Sequence, residues 1–109
     1  MSRVTNLIIC CDIDDGQMLD TFNVLRSEFI TGRTSGREFQ RVPEDIVGGD
    51  KSIECVVLIG AINYLDEAGL HRIIVGITWR RPESVQVFLK REEEVIFTEM
   101  PLHFPRASR

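Results

Sequence analysis

Long hydrophobic runs are missing from this chain of 109 residues. No window approaches the roughly 18 to 20 consecutive apolar residues that a membrane-spanning helix needs. The first three residues lead directly into a strand-like run, without the apolar core of a signal peptide. We therefore expect a cytoplasmic protein without a membrane partner.

Cysteine and histidine are scarce. The three cysteines are an odd number with two adjacent, Cys10 and Cys11, which is unlike the disulfide framework of a secreted domain. No Cys-x-x-Cys pair is present, which argues against a thiolate zinc site. All three cysteines lie in apolar strand-like runs, and the only histidines are His71 and His103. Nucleophilic catalysis by a Cys–His pair is therefore not expected.

Positive charge is also in short supply, because 13 basic residues face 17 acidic ones and the formal net charge is −4. This balance argues against a protein that binds nucleic acid through many phosphate contacts. The apolar share of 43% is that of a soluble globular domain. We predict a single domain over residues 1–100, followed by a loosely packed tail over residues 101–109 with two prolines.

Hydrophobic periodicity predicts five strands and two helices. The apolar residues Met18, Phe22, Leu25 and Phe29 form one stripe of the first helix. The predicted order is strand 4–11, helix 17–30, short strand 38–42, strand 52–62, helix 63–79, and strands 84–90 and 95–100. This order predicts an α+β sandwich of two layers, with both helices on one face of a mainly antiparallel sheet and a β-hairpin at the C-terminus. The split β-α-β order is that of ferredoxin-like sandwiches.

Three carboxylates, Asp12, Asp14 and Asp15, follow the first predicted strand. Asp14 or Asp15 is well placed to cap the next helix, because a short acidic side chain accepts hydrogen bonds from free N–H groups of the first turn. A metal site is the alternative. A calcium-binding EF-hand loop is excluded, because the twelfth position counted from Asp12 is Asn23 instead of glutamate.

The Asp12-Ile13-Asp14 motif resembles the first motif of haloacid-dehalogenase-like phosphatases, in which a strand delivers Asp-x-Asp to magnesium and a phosphoryl group. That motif continues with Gly-Thr, whereas here Asp15 precedes Gly16. The family also needs a distant lysine on a much longer doubly wound sheet, for which this chain is too short. The resemblance covers five residues.

A second resemblance joins Asp12 to the run Gly48-Gly49-Asp50. The pair is similar to palm-type nucleotidyl cyclases such as diguanylate cyclases, which have a ferredoxin-like core. In them an aspartate at a strand end and a Gly-Gly-Asp-Glu-Phe turn bind magnesium. The resemblance implies a minimal nucleotide or phosphoryl-transfer enzyme with Mg²⁺ held by Asp12, Asp14 and Asp50. Lys51 and Ser52 replace the glutamate and phenylalanine of that turn.

Cationic and aromatic residues supply the remaining candidates for binding an anion or a partner: Arg33, Arg37, Arg41, Trp79, Arg80 and Arg81. Guanidinium groups on the Gly-rich loop around Arg33 can converge on an anion or simply face solvent. Trp79 beside two arginines is typical of a contact surface, but it can equally close the core. The same arginines leave weak nucleic-acid binding as an open alternative.

We predict that the chain is a small non-enzymatic protein-binding domain, such as an inhibitor, an immunity-type factor or an accessory subunit. A sheet with helices on one face leaves the other face uncovered, so we expect self-association into a homo-oligomer through that face. The alternatives are the palm-like metal-dependent enzyme and a weak nucleic-acid binder.

Overall fold

A computed structural model describes residues 4–28, 38–43, 48–51 and 53–105. The chain is α+β, with two helices and one five-stranded antiparallel sheet. The strands are β1 (Val4–Asp12), β2 (Gln40–Arg41), β3 (Cys55–Asn63), β4 (Gln86–Arg91) and β5 (Thr98–Glu99), and the helices are α1 (Gly16–Val24) and α2 (Glu67–Gly76). Among the described residues, no helix is long and apolar enough to span a membrane.

The strand order is β2-β3-β1-β4-β5, and every neighbouring pair is antiparallel. The ferredoxin-like sandwich is not confirmed as predicted, because the sheet has a fifth strand, β5, beside β4. β1 lies between two antiparallel partners, β3 and β4. The chain after α1 forms only the short edge strand β2, outside β3, so β3 is free to pair with β1 along its whole length.

The C-terminal hairpin is not confirmed in the predicted form. β4 and β5 pair through Phe88 with Glu99 and Leu89 with Thr98, but β5 has two residues where six were expected. Beyond β5, the tail follows the body of the protein: Met100 donates its N–H to the carbonyl of Val87 (2.8 Å).

The tail residues that follow also contact the rest of the chain. The N–H of His103 donates to Nε2 of His71 on α2 (3.0 Å). Met100, Leu102 and Phe104 pack against the core. Residues 100–105 therefore lie against the domain, which adds apolar contacts to its surface.

The core lies between the two helices and one face of the sheet. Burial alternates along β1, with Leu7, Ile9 and Cys11 buried and the residues between them half-buried. Leu19 and Phe22 of α1 and Leu70 and Ile74 of α2 complete the same cluster. Because both helices pack on this face, the opposite face of the sheet has no second layer among the described residues.

Specific polar and close contacts fix the helices to the sheet. Asp66 caps α2 by accepting the N–H of Gly69 (3.0 Å). Asn23 of α1 forms two hydrogen bonds with the backbone of Phe39, each 3.0 Å, and thereby anchors the approach to β2. The Phe39 ring stacks on Phe22 and covers Gly60 of β3, where no side chain would fit.

Candidate functional site

The acidic residues after β1 organise backbone groups. Asp12 Oδ2 accepts the N–H of Asp14 (3.0 Å) and caps the 3₁₀ turn Ile13–Asp15. Asp15 occupies the N-cap position of α1 but makes no capping bond there. Its fully buried carboxylate instead accepts the N–H groups of Arg80 (2.8 Å) and Arg81 (2.9 Å). Asp15 therefore joins the exit of β1 to the loop between α2 and β4.

The side chain of Arg81 lies between the two carboxylates that the sequence assigned to magnesium. Its Nε is 3.7 Å from Asp12 Oδ2 and 3.8 Å from Asp14 Oδ2. Asp50 lies in an exposed turn, and none of the contacts in the described ranges joins it to Asp12 or Asp14. No three His, Cys, Asp or Glu side chains of the described segments are grouped to hold a metal ion. Among the described residues, the guanidinium group of Arg81 therefore lies where the metal ion was expected.

The loop arginines are only partly described. Arg33 and Arg37 lie outside the described residues, whereas Arg41 belongs to the edge strand β2. Arg41 donates to the carbonyl of Gly16 (2.8 Å) and to Asp20 Oδ1 (3.0 Å), so it contacts the start of α1. These contacts with α1 account for the position of the Arg41 side chain.

Trp79 is buried in the core, which is the second of the two alternatives that the sequence left open. Its indole N–H donates to the carbonyl of Ile74 near the end of α2 (2.8 Å). Arg80 and Arg81 remain exposed beside it. Arg80 is therefore available at the surface, whereas Arg81 contacts Asp12 and Asp14 and the aromatic ring is buried.

The uncovered face of the sheet carries a row of apolar side chains. In its central row, Ile8 of β1 lies opposite Ile59 of β3 and Phe88 of β4. In the next row, Cys10 lies opposite Val57. We call this side of the sheet the open face. It consists of Asn6, Ile8 and Cys10 of β1 and of the residues that lie opposite them on the neighbouring strands. Ile59 in its centre is 43% exposed, although it belongs to a central part of the sheet.

The segment between β4 and β5 extends the open face. Phe97 is 41% exposed and lines a shallow depression of about 430 Å³ together with Ile8 and Ile59. Val95, directly before it, is 89% exposed, and Ile96 is also exposed. Sequence patterning assigned these residues to a strand, so this extension was missed. Its only signal was an apolar run after three glutamates.

Charged groups on the open face are few and of opposite sign. Lys90 of β4 lies opposite Asn6, and Glu99 of β5 lies opposite Phe88, which places both on this face by register. The face is therefore close to neutral, although the whole chain has a formal charge of −4.

The cysteines behave as small apolar residues. Burial raises the pKa of the Cys10 thiol on the open face, and nearby Cys55 raises it further. On the core face, burial raises the pKa of Cys11 to about 12, with nearby Asp15 adding to the shift. Both thiols remain protonated at neutral pH, which does not suit a nucleophile or a thiolate ligand.

No protein family, curated protein or solved structure matches the chain. The function is therefore argued from the open face and its chemistry. Covering an apolar, nearly neutral surface removes it from water, which favours association.

Proposed function

We propose that the chain is a non-enzymatic protein-binding domain that associates with a second copy of itself through the open face. The supporting observation is the row of apolar side chains at Ile8, Ile59 and Phe88 on a sheet face without a covering layer in the described part of the chain. Removing apolar surface from water is favourable by about 25 cal/mol per Å², so this face gains free energy when it is covered.

The size of the open face fits a dimer. A strand residue occupies about 16 Å² of a sheet, given its rise and the strand spacing, so the five strands project to about 450 Å². Side-chain relief makes the accessible area larger than this projection, and Val95–Phe97 extend it further. This area compares with the roughly 500 Å² per partner at the lower limit of specific interfaces.

The charge distribution supports a second copy as the partner. Two copies of a chain with charge −4 repel each other over most of their surfaces. On the open face this penalty is small, because Lys90 and Glu99 contribute one charge of each sign. A two-fold interface uses the same patch on both subunits, and a neutral, apolar patch meets itself without buried unpaired charge.

Light scattering coupled to size exclusion, over a range of protein concentrations, tests the proposal. We expect a dimer for the wild type and a monomer for Ile59→Asp, which places a charge in the centre of the face. Val24→Asp is the matched control, because Val24 is an exposed residue of α1 and the change in net charge is the same. Circular dichroism should show both variants folded. A wild type that stays monomeric at high concentration would contradict the proposal.

An inhibitor, an immunity-type factor or an accessory subunit could use the same face against its target. The metal-dependent alternative has weaker support, because Arg81 lies between Asp12 and Asp14. Thermal unfolding with Mg²⁺ and a nucleotide separates the two. The binding-domain proposal expects no stabilisation, whereas a functional metal site would raise the melting temperature.

A further inference from the structure

Two residues of opposite charge, Lys90 of β4 and Glu99 of β5, lie at one side of the open face. Neither forms an ion pair with another residue that the structure describes. The Glu99 carboxylate accepts only a long hydrogen bond from Gln86 (3.4 Å). Both charges can therefore contact a partner that covers this face.

Lys90 and Glu99 lie on a diagonal across neighbouring strands. Lys90 follows Phe88 by two residues and Glu99 lies opposite Phe88, so one strand and two residues separate the pair. In an ideal sheet these steps are about 4.8 Å and about 6.8 Å. Ile59 of β3 and Cys10 of β1 lie on a second diagonal with the same length and direction. The line through the midpoints of the two diagonals is perpendicular to both of them.

This line can serve as the two-fold axis between two copies that meet through their open faces. Rotation about it exchanges the members of each diagonal, so Lys90 of one copy faces Glu99 of the other. Three apolar residues, Phe88, Ile8 and Val57, lie within about 2 Å of the axis, so each of them meets its own copy. The strands of the two sheets cross at about 70°, which is near the orthogonal class of sheet packing.

We infer that Lys90 of each copy pairs with Glu99 of the other and that these two ion pairs set the orientation of the dimer. This pairing rests on the proposed function, because it requires association through the open face. Each bond between the ammonium and the carboxylate is charge-assisted, and each charge that the second copy covers gains a partner of opposite sign.

Other two-fold orientations of the open face leave the two charges unsatisfied. An axis along β1 places Lys90 against Ala61 and Glu99 against Gln40 of the second copy, so both charges are covered without a partner. An axis across the strands through Ile8 places Glu99 against its own copy. A buried unpaired charge and a contact between like charges are both unfavourable, and the diagonal axis avoids both.

Charge reversal at Lys90 and Glu99 tests the pairing by size exclusion with light scattering. Lys90→Glu and Glu99→Lys each bring like charges together twice in a homodimer, so either variant alone should dimerise about 100-fold more weakly than the wild type. In an equimolar mixture opposite charges meet again, and we expect a heterodimer with an affinity within about tenfold of the wild-type value. A chain that carries both reversals should form a homodimer as the wild type does.

Arg72→Glu and Glu83→Lys are the matched controls. They make the same charge changes at exposed positions on α2 and in the turn Pro82–Ser84, outside the open face. Their mixture measures the general attraction between chains of different net charge, and we expect each control to dimerise alone. Circular dichroism checks folding. If a reversal at Lys90 or Glu99 unfolds the chain, Lys90→Gln and Glu99→Gln, singly and together, measure the coupling between the two residues in a double-mutant cycle.

Two results with a dimeric wild type would overturn this pairing alone: single reversals that dimerise as well as the controls, or a mixture that forms no heterodimer. Strictly additive effects in the double-mutant cycle would have the same meaning. A wild type that stays monomeric would overturn the proposed association through the open face as well.

Discussion

The carboxylate of Asp15 supports the strongest prediction about stability. It is fully buried, and its two oxygens accept the N–H groups of Arg80 and Arg81, which are 65 and 66 positions away in the chain. In Asp15→Asn, one amide oxygen can still accept one of these bonds. The amide nitrogen is a donor and faces the second N–H, which is then left without an acceptor.

The size of the effect follows from this pairing. Losing one hydrogen bond to a charged group costs about 1.5 to 3 kcal/mol, and the unsatisfied buried N–H adds to the loss. The neutral amide is easier to bury than the carboxylate, which offsets part of the cost. We therefore expect Asp15→Asn to lower the free energy of unfolding by about 1.5 to 3 kcal/mol, a large share of the 5 to 15 kcal/mol typical of a domain.

Urea unfolding and amide hydrogen exchange measure the two parts of this prediction. The urea midpoint should fall with an unchanged m-value, and the amides of Arg80 and Arg81 should exchange faster. Asp14→Asn is the matched control, because Asp14 is exposed and its contact with Arg81 is long (3.8 Å). A loss below about 0.5 kcal/mol for Asp15→Asn, similar to that of the control, would refute the reasoning.

Two further substitutions test the packing of the sheet. Gly60→Ala places a methyl group 2.8 Å from Cε1 of Phe39 and closer to Cδ1, so we expect a loss of about 1 to 3 kcal/mol in urea unfolding. At Gly76 of α2 an added methyl group meets open space, so Gly76→Ala should be neutral or stabilising. Equal losses of stability for the two variants would contradict the close contact between Gly60 and Phe39. For Cys11, burial raises the folded pKa from 9.0 to about 12, so the contribution of this thiol to the free energy of unfolding is constant below pH 9 and falls by up to about 1.4 kcal/mol per pH unit between pH 9 and about 12. Cys11→Ala should lack that part of the alkaline slope, and an unchanged slope would contradict this assignment.

The elements of the fold and its α+β class with an antiparallel sheet were readable from local patterns. The alternation of Val57 and Ile59 with Val56 and Leu58 predicted a strand, and the burial along β3 follows it. The helix predicted over 63–79 is shorter, because α2 ends at Gly76 and Ile77 is already extended. The length of β5 and its pairing with β4 depend on contacts across the chain, which the alternation within one segment does not encode.

The acidic residues show why the candidate site was harder to predict than the fold. A run of aspartates after a strand indicates a cap or a metal ligand, and both depend on neighbours within a few residues. Asp15 instead binds backbone groups near residue 80, and Arg81 from the same loop lies beside Asp12 and Asp14. No local pattern indicates a contact of that sequence separation.

Both faces of β1 are apolar, with Leu7 and Ile9 on one and Ile8 and Cys10 on the other, so hydropathy alone does not say which face is covered. The helices decide it. At about 1.5 Å per residue and about 10 Å apart, α1 and α2 cover about 285 Å², roughly three quarters of one face of the three central strands, so they cannot cover both faces. Both lie against Leu7 and Ile9, so Ile8 and Cys10 have no helix of the described residues to cover them. An apolar face that the domain cannot cover with its own helices is the physical reason to expect a second subunit there.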